Sequence, residues 1–150
     1  MKNANNLNKA LRIVAIGLLL FNGVNALVAG WVFMTDPSGG SLGASTNLLE
    51  HSPFQNFLIP GIILFVANGL FSLITAFAAL LRWKYYASFI CFQGGILTGW
   101  IVVQMIMLQE VNFLHLLFGG IGVFLSAFGI VLKSSIEKTQ NQRKQKLIYH

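Results

Sequence analysis

Few side chains in this sequence could do chemistry, and they form two sets. The first is ionisable: Asp36, Glu50, His51, Glu110 and His115. Two imidazoles with a carboxylate are a donor set that zinc accepts, so Glu50, His51, Glu110 and His115 are candidate metal ligands or acid–base groups. As a motif the set is weak, because Glu50 and His51 are adjacent in sequence rather than one helical turn apart. The competing readings are that these side chains are hydrogen-bonded at the surface with no further role, or that they bind a partner. The second set is neutral: Asn22, Asn25, Asn68, Gln93 and Gln104, each inside a long apolar run. An amide in hydrocarbon has to find a partner. Either these amides pair between helices, or Asn22, Asn25, Asn68 and Gln104, with His115 beside them, line a small polar cavity. Such a cavity would hold water, a small polar ligand or a lipid headgroup.

Several chemistries are disfavoured at once. No acidic or basic residue stands in the middle of an apolar run, so proton-coupled export through a membrane-embedded carboxylate is disfavoured. His115 alone does not supply paired axial ligands for haem, and no cofactor is expected. Cys91 is the single cysteine, which removes an intramolecular disulfide and a CxxC redox centre and leaves a buried thiol. The protein reads as a non-enzyme on these grounds.

The elements that must position these residues follow from composition. The chain of 150 residues is 55% hydrophobic and 9% charged, with mean hydropathy +0.70. A soluble domain of that size cannot hide so much apolar surface, so the bilayer is the expected solvent. Four runs, at about 13–34, 57–81, 86–108 and 113–132, are each long enough to cross roughly 30 Å of hydrocarbon at about 1.5 Å per residue. They make one membrane domain over 1–150, with a basic tail at 133–150 and no room for a second domain. "RWKYY" and "QEVN" are short connections, so consecutive helices are antiparallel neighbours. The expected fold is all-α, a four-helix transmembrane bundle running up-down-up-down.

All the Lys and Arg residues fall on one side of this threading: Lys2, Lys9 and Arg12, then Arg82 and Lys84, then Lys133, Lys138, Arg143, Lys144 and Lys146. The positive-inside rule makes that side the cytoplasm, with both termini inside and the chain in the cell membrane. The net charge of +6 is then a topology signal that also suits anionic lipid headgroups. Nucleic acid is not an expected partner; membrane lipids are, with a membrane protein or a second copy of the chain as further partners. The basic start, the run Ile13 to Phe21 and the small-residue pattern Val24-Asn25-Ala26 also resemble a cleavable secretory signal. The apolar run continues through "LVAGWVFM", which suits a retained helix better.

Ser52 has the chemistry of an N-cap, with Pro53 at the first helical position and Gln55 completing an S-x-x-Q box. The pattern predicts an outer elbow helix from Pro53, bending at Pro60 and Gly61 where the proline removes a hydrogen bond to Asn56. That elbow would be a lid over the outer end of the bundle, near His115 and Gln104. In the fourth run His115, Gly119, Gly122, Ser126 and Gly129 recur at steps of four and three, marking a helix-packing face. Gly23 and Gly30 in the first run, and Gly95 and Gly99 in the third, read the same way.

"SPFQNFLIPGIILFVANGL", with "GWIVVQ" in the third run, resembles a group of small, uncharacterised bacterial four-span membrane proteins with an outer SPF...FLIPG elbow. The resemblance covers most of the chain and is carried best by Ser52, Pro53, Phe54, Pro60 and Gly61. It implies an integral membrane protein of the same architecture. Gln104 stands where the group carries Gln or Glu. The function expected from the whole reading is a non-enzymatic accessory or lipid or small-molecule binding bundle; the alternative is a membrane enzyme or transporter using the outer Glu/His cluster.

Overall fold

The computed structural model describes residues 2–148 and is all-helical over them; the last two residues of the basic tail lie outside that range. Helix α1 runs from Lys2 to Thr35. It stops where Pro37 disfavours helical geometry in the residue before it, and the last helical bond is donated by the Asp36 amide to the Val32 carbonyl at 2.8 Å. Helix α2, Leu58–Ile63, passes without a break through a π-helical segment, Leu64–Leu70, into α3, Phe71–Leu80. Helix α4 is Tyr86–Leu108 and α5 is Phe113–Ile148. Four helices, over Asn5–Thr35, Leu58–Leu80, Tyr86–Leu108 and Phe113–Gln142, are long and apolar enough to cross a membrane. Their outer faces carry large apolar side chains with little protein around them, such as Val28, Phe92 and Leu116 at 60–65% exposure.

Two helices outrun their apolar stretches. Residues 2–12 continue α1 ahead of Ile13, and residues 133–148 continue α5, because both segments lack Pro and are rich in good helix formers. The extensions are joined: the Asn8 side-chain amide donates to the Ser135 hydroxyl at 2.5 Å.

The helices pair as two antiparallel hairpins. In one, α4 meets α5 with Gly94 against Gly122 and Ser126, Thr98 against Gly122, and Cys91 against Gly129. The numbers in these pairs rise on one helix as they fall on the other, and backbone comes so close that a Cβ on Gly94 would lie 2.5 Å from the Ser126 nitrogen. In the other hairpin α1 lies along α2, the π-helical segment and α3, with Gly30 on Gly61, Leu27 on Gly69 and Gly23 on Leu73. In lipid such close approach supplies the dispersion that holds helices together. Between the hairpins the apolar core gathers Ala15, Leu19, Ala76, Ala79, Ile90 and Leu125, residues of the end that carries the termini.

Three expectations need correction. Residues 51–57 form no elbow helix. Ser52 instead accepts the Phe54 amide at 3.2 Å, Gln55 is exposed, and the helix starts at Leu58, whose amide is taken by the Asn56 side chain at 3.1 Å. The Phe57 amide donates to the Pro37 carbonyl at 2.9 Å, so this backbone is committed across the loop rather than along a helix. Pro60 therefore sits in the first turn of α2, where its absent N–H would have had no partner, and it removes no hydrogen bond. The irregularity comes later, at Leu64–Leu70, where the Phe71 amide reaches five residues back to the Val66 carbonyl. Gly95 and Gly99 are not a packing face either: a Cβ on either one would meet nothing within 4 Å. Gly119 is only in ordinary contact, 3.5 Å from Ile101, whereas Gly122, Ser126 and Gly129 are at the close crossing.

Candidate functional site

At the end opposite the termini the two hairpins separate and leave a cavity of about 430 Å³. Asn22, Asn25, Gln104 and His115 line it, together with the aromatic rings of Phe33, Trp100 and Phe118. Asn68 does not. It lies behind Asn22, fully buried, where its main-chain carbonyl accepts the Asn22 amide at 3.2 Å; the same amide donates to the Ser72 hydroxyl at 2.8 Å. Asn25 spends one N–H of its side-chain amide on the Phe21 carbonyl of its own helix at 2.7 Å, so its other N–H and its oxygen remain to offer. Gln104 makes no hydrogen bond among the described residues and borders a second, smaller cavity of about 100 Å³ beneath the loop.

His115 is 6% exposed and is held by neither Gln104 nor Glu110. Its partner is Asn112, the residue before α5. The His115 amide donates to the Asn112 side-chain oxygen at 3.2 Å, and the Asn112 amide donates to His115 Nδ1 at 3.3 Å. This is a capping box with His in the place usually held by Glu or Gln. It satisfies two of the free amides at the start of the helix. Because Nδ1 accepts, the ring carries its proton on Nε2. The pattern N-x-x-H at the head of an apolar run was the available signal for this cap, and for Asn112 as a lining residue.

The loop between α1 and α2 reaches the cavity at Ala44 and covers the smaller one with Leu48, Leu49 and Phe57. Leu49 and Phe57 pack with Met107 of α4, and Phe33, Ala44, Leu48 and Phe54 surround them. Phe57 stacks on Phe33 at 4.8 Å between ring centroids. Asp36 organises the first part of this loop. Its carboxylate takes the Ser38 hydroxyl, and the Ser41 hydroxyl and amide at 2.7 and 2.8 Å. The hydrogen bonds from Ser38 and Ser41 lower its pKa from 3.8 to about 2.

Deeper in the bundle lies a second polar group. Asn68, Thr75 and Gln93 are fully buried, and among the described residues neither end of either amide, nor the Thr75 hydroxyl, has a partner. Phe71 meets Phe89 and Phe92 edge-on, a register that sets Gln93 near the depth of Asn68 and Ser72. The Trp100 indole nitrogen is also buried without a partner, at the wall of both cavities. Trp100 carries a donor that composition and spacing did not single out.

The ionisable set does not assemble. Among the described residues no three His, Cys, Asp or Glu side chains converge, and Glu50, His51 and Glu110 are exposed while His115 is enclosed by its cap. Cys91 is half-buried at the α4–α5 crossing, its carbonyl accepting the Ser126 hydroxyl at 3.5 Å. No family model, curated protein or solved structure matches the chain.

Proposed function

We propose that the protein is a non-enzymatic integral membrane protein that binds a lipid or lipid-soluble small molecule between its two helical hairpins. The observation that carries this reading is the cavity of about 430 Å³, within the size range of small-molecule sites and walled mainly by apolar and aromatic side chains with a few neutral polar groups. The four apolar helices support a place in the bilayer. The clustering of every Lys and Arg at the termini end supports the cytoplasmic membrane with both termini inside, the cavity then lying toward the outer face. The polar lining pairs no acid with a base, and its one imidazole is engaged in a helix cap, which favours holding a molecule over transforming it.

Ala29 lines the cavity and is half-buried. Ala29→Phe would fill part of the space while keeping every polar residue of the wall. Native mass spectrometry of protein released from membrane-derived nanodiscs should show a bound molecule of lipid-like mass on the wild type and its loss from the variant, with helix content unchanged. Equal retention by both proteins, or a bare wild type, would overturn the proposal.

A further inference from the structure

Resting on that reading, the lining also specifies the head of the occupant. The chemistry is set by what the wall has left to offer once its internal hydrogen bonds are made. On the α1 side both N–H groups of the Asn22 amide are spent as donors, and one of the two on Asn25, an exposed residue, is spent on its own helix. On the α4–α5 side four donors remain, the side-chain amide of Asn112, an exposed residue, and three on less exposed residues. Trp100 is about nine-tenths buried with its N–H unpartnered, and an indole can do nothing but donate. Gln104 stands four residues on, one helical turn away, with its amide free among the described residues. His115 has Nδ1 occupied as an acceptor, which leaves Nε2–H as its remaining polar group, and it too is more than nine-tenths buried.

Charge decides the rest. No Asp, Glu, Lys or Arg lines the cavity. A carboxylate, phosphate or ammonium head brought into it would be desolvated without a countercharge, which is far costlier than burying a hydrogen-bonded neutral group. A plain hydrocarbon would leave the indole and amide donors unpaired, at the cost such groups carry in apolar surroundings. Phe33, Phe118 and the surrounding aliphatic side chains suit a flat or chain-like apolar body. We infer that the occupant is an uncharged amphiphile whose head presents carbonyl oxygens to Trp100, Gln104 and His115, the chemistry shared by quinones and neutral glycerides.

The test is titration calorimetry on the full chain in nanodiscs of zwitterionic lipid, with empty nanodiscs as control, using decylubiquinone, dioctanoylglycerol, decanoate and decylbenzene as probes. Saturable binding of a carbonyl probe is expected, at least tenfold tighter than decanoate or decylbenzene, and the tighter of the two carbonyl probes identifies the source. Trp100→Phe removes the N–H and keeps an aromatic ring. It should weaken that binding about tenfold while leaving the melting temperature of the empty protein unchanged or higher, since the donor is unpartnered there. His115→Glu is the second variant: Glu retains the capping box but replaces a donor with an acceptor, and it should weaken binding comparably. Decanoate or decylbenzene binding as tightly as the carbonyl probes would overturn the inference and leave the binding function standing, as would unchanged affinity in both variants. Failure of all four probes to bind saturably would sink both.

Discussion

Gly94 and Gly95 are neighbours in α4 with opposite surroundings, and replacing each by alanine isolates what holds the α4–α5 hairpin. A Cβ on Gly94 would lie 2.5 Å from the Ser126 nitrogen and 2.6 Å from the Gly122 carbonyl oxygen. Carbon contacts settle near 3.5–4.0 Å, so the helices must part by roughly 1 Å. Those obstacles are main-chain atoms of a facing helix, which have no rotamer to move into. Overpacking of this kind costs about 1–3 kcal/mol. Gly95 meets nothing within 4 Å, so Gly95→Ala changes only helix propensity, a gain of about 0.8–1 kcal/mol. The propensity gain is common to both variants and cancels in the comparison. Gly94→Ala should therefore be less stable than Gly95→Ala by about 1–3 kcal/mol, measured by reversible SDS unfolding in mixed micelles followed through tryptophan fluorescence. Equal stability, or the reverse order, would refute the claim that backbone proximity between α4 and α5 organises this half of the molecule.

Gln93 buries an unpartnered donor and acceptor, each of which costs about 1–3 kcal/mol in apolar surroundings. A membrane-inserted unfolded state hides part of that cost, so Gln93→Met should stabilise the protein by about 1 kcal/mol in the same unfolding assay; a comparable loss would show that the amide has a partner. Asp36 gives a pH signature for the loop. Its carboxyl is lowered from 3.8 to about 2, so the ordered loop is favoured in full above pH ~4, where the free carboxyl is also ionised, and loses that support as pH falls through about 2. The Ser38 and Ser41 amide resonances should titrate with a midpoint near 2 and stop titrating in Asp36→Asn. A midpoint at 3.8 or above would contradict the hydrogen-bonded geometry.

The helices were legible because apolar run length maps directly onto span length, while their true ends were not, since hydropathy is blind to a helix that continues in water through Lys, Gln and Glu. Steps of four and three located Gly122, Ser126 and Gly129 at a crossing, but the same arithmetic put Gly95 and Gly99 there in place of Gly94. Spacing gives a face without saying which way it points, and the facing helix decides that. The elbow failed for a related reason. Ser52, Pro53 and Gln55 satisfy a local capping pattern, yet Phe57 is drawn to Phe33 and Met107, and its amide is taken by Pro37 twenty residues earlier in the chain. Long-range packing outweighed a cap worth about 1 kcal/mol. Asn22, Asn25, Gln104 and His115 share one cavity because each faces the gap between the hairpins, Asn22 at its deep end and Gln104 and His115 nearer the loop; Asn68 lies behind Asn22, its carbonyl accepting the Asn22 amide.

The position of the cavity follows from where the small residues fall. Glycines bring helices together within each hairpin, at Gly30 and Gly61 in one and at Gly94 and Gly122 in the other. Between hairpins the buried core includes the small side chains of Ala15, Ala76, Ala79 and Ala87, all at the termini end. Toward the other end the hairpins face each other through Phe33, Trp100, Gln104 and Phe118, side chains too large and too polar to let backbones meet, and the space between them stays open. At that end the loop reaches the cavity at Ala44 and is anchored by Leu49 and Phe57 packed on Met107. Opening the cavity thus disturbs neither glycine crossing nor the alanine core. A molecule approaching from the end opposite the termini would meet a loop whose displacement leaves both hairpins intact.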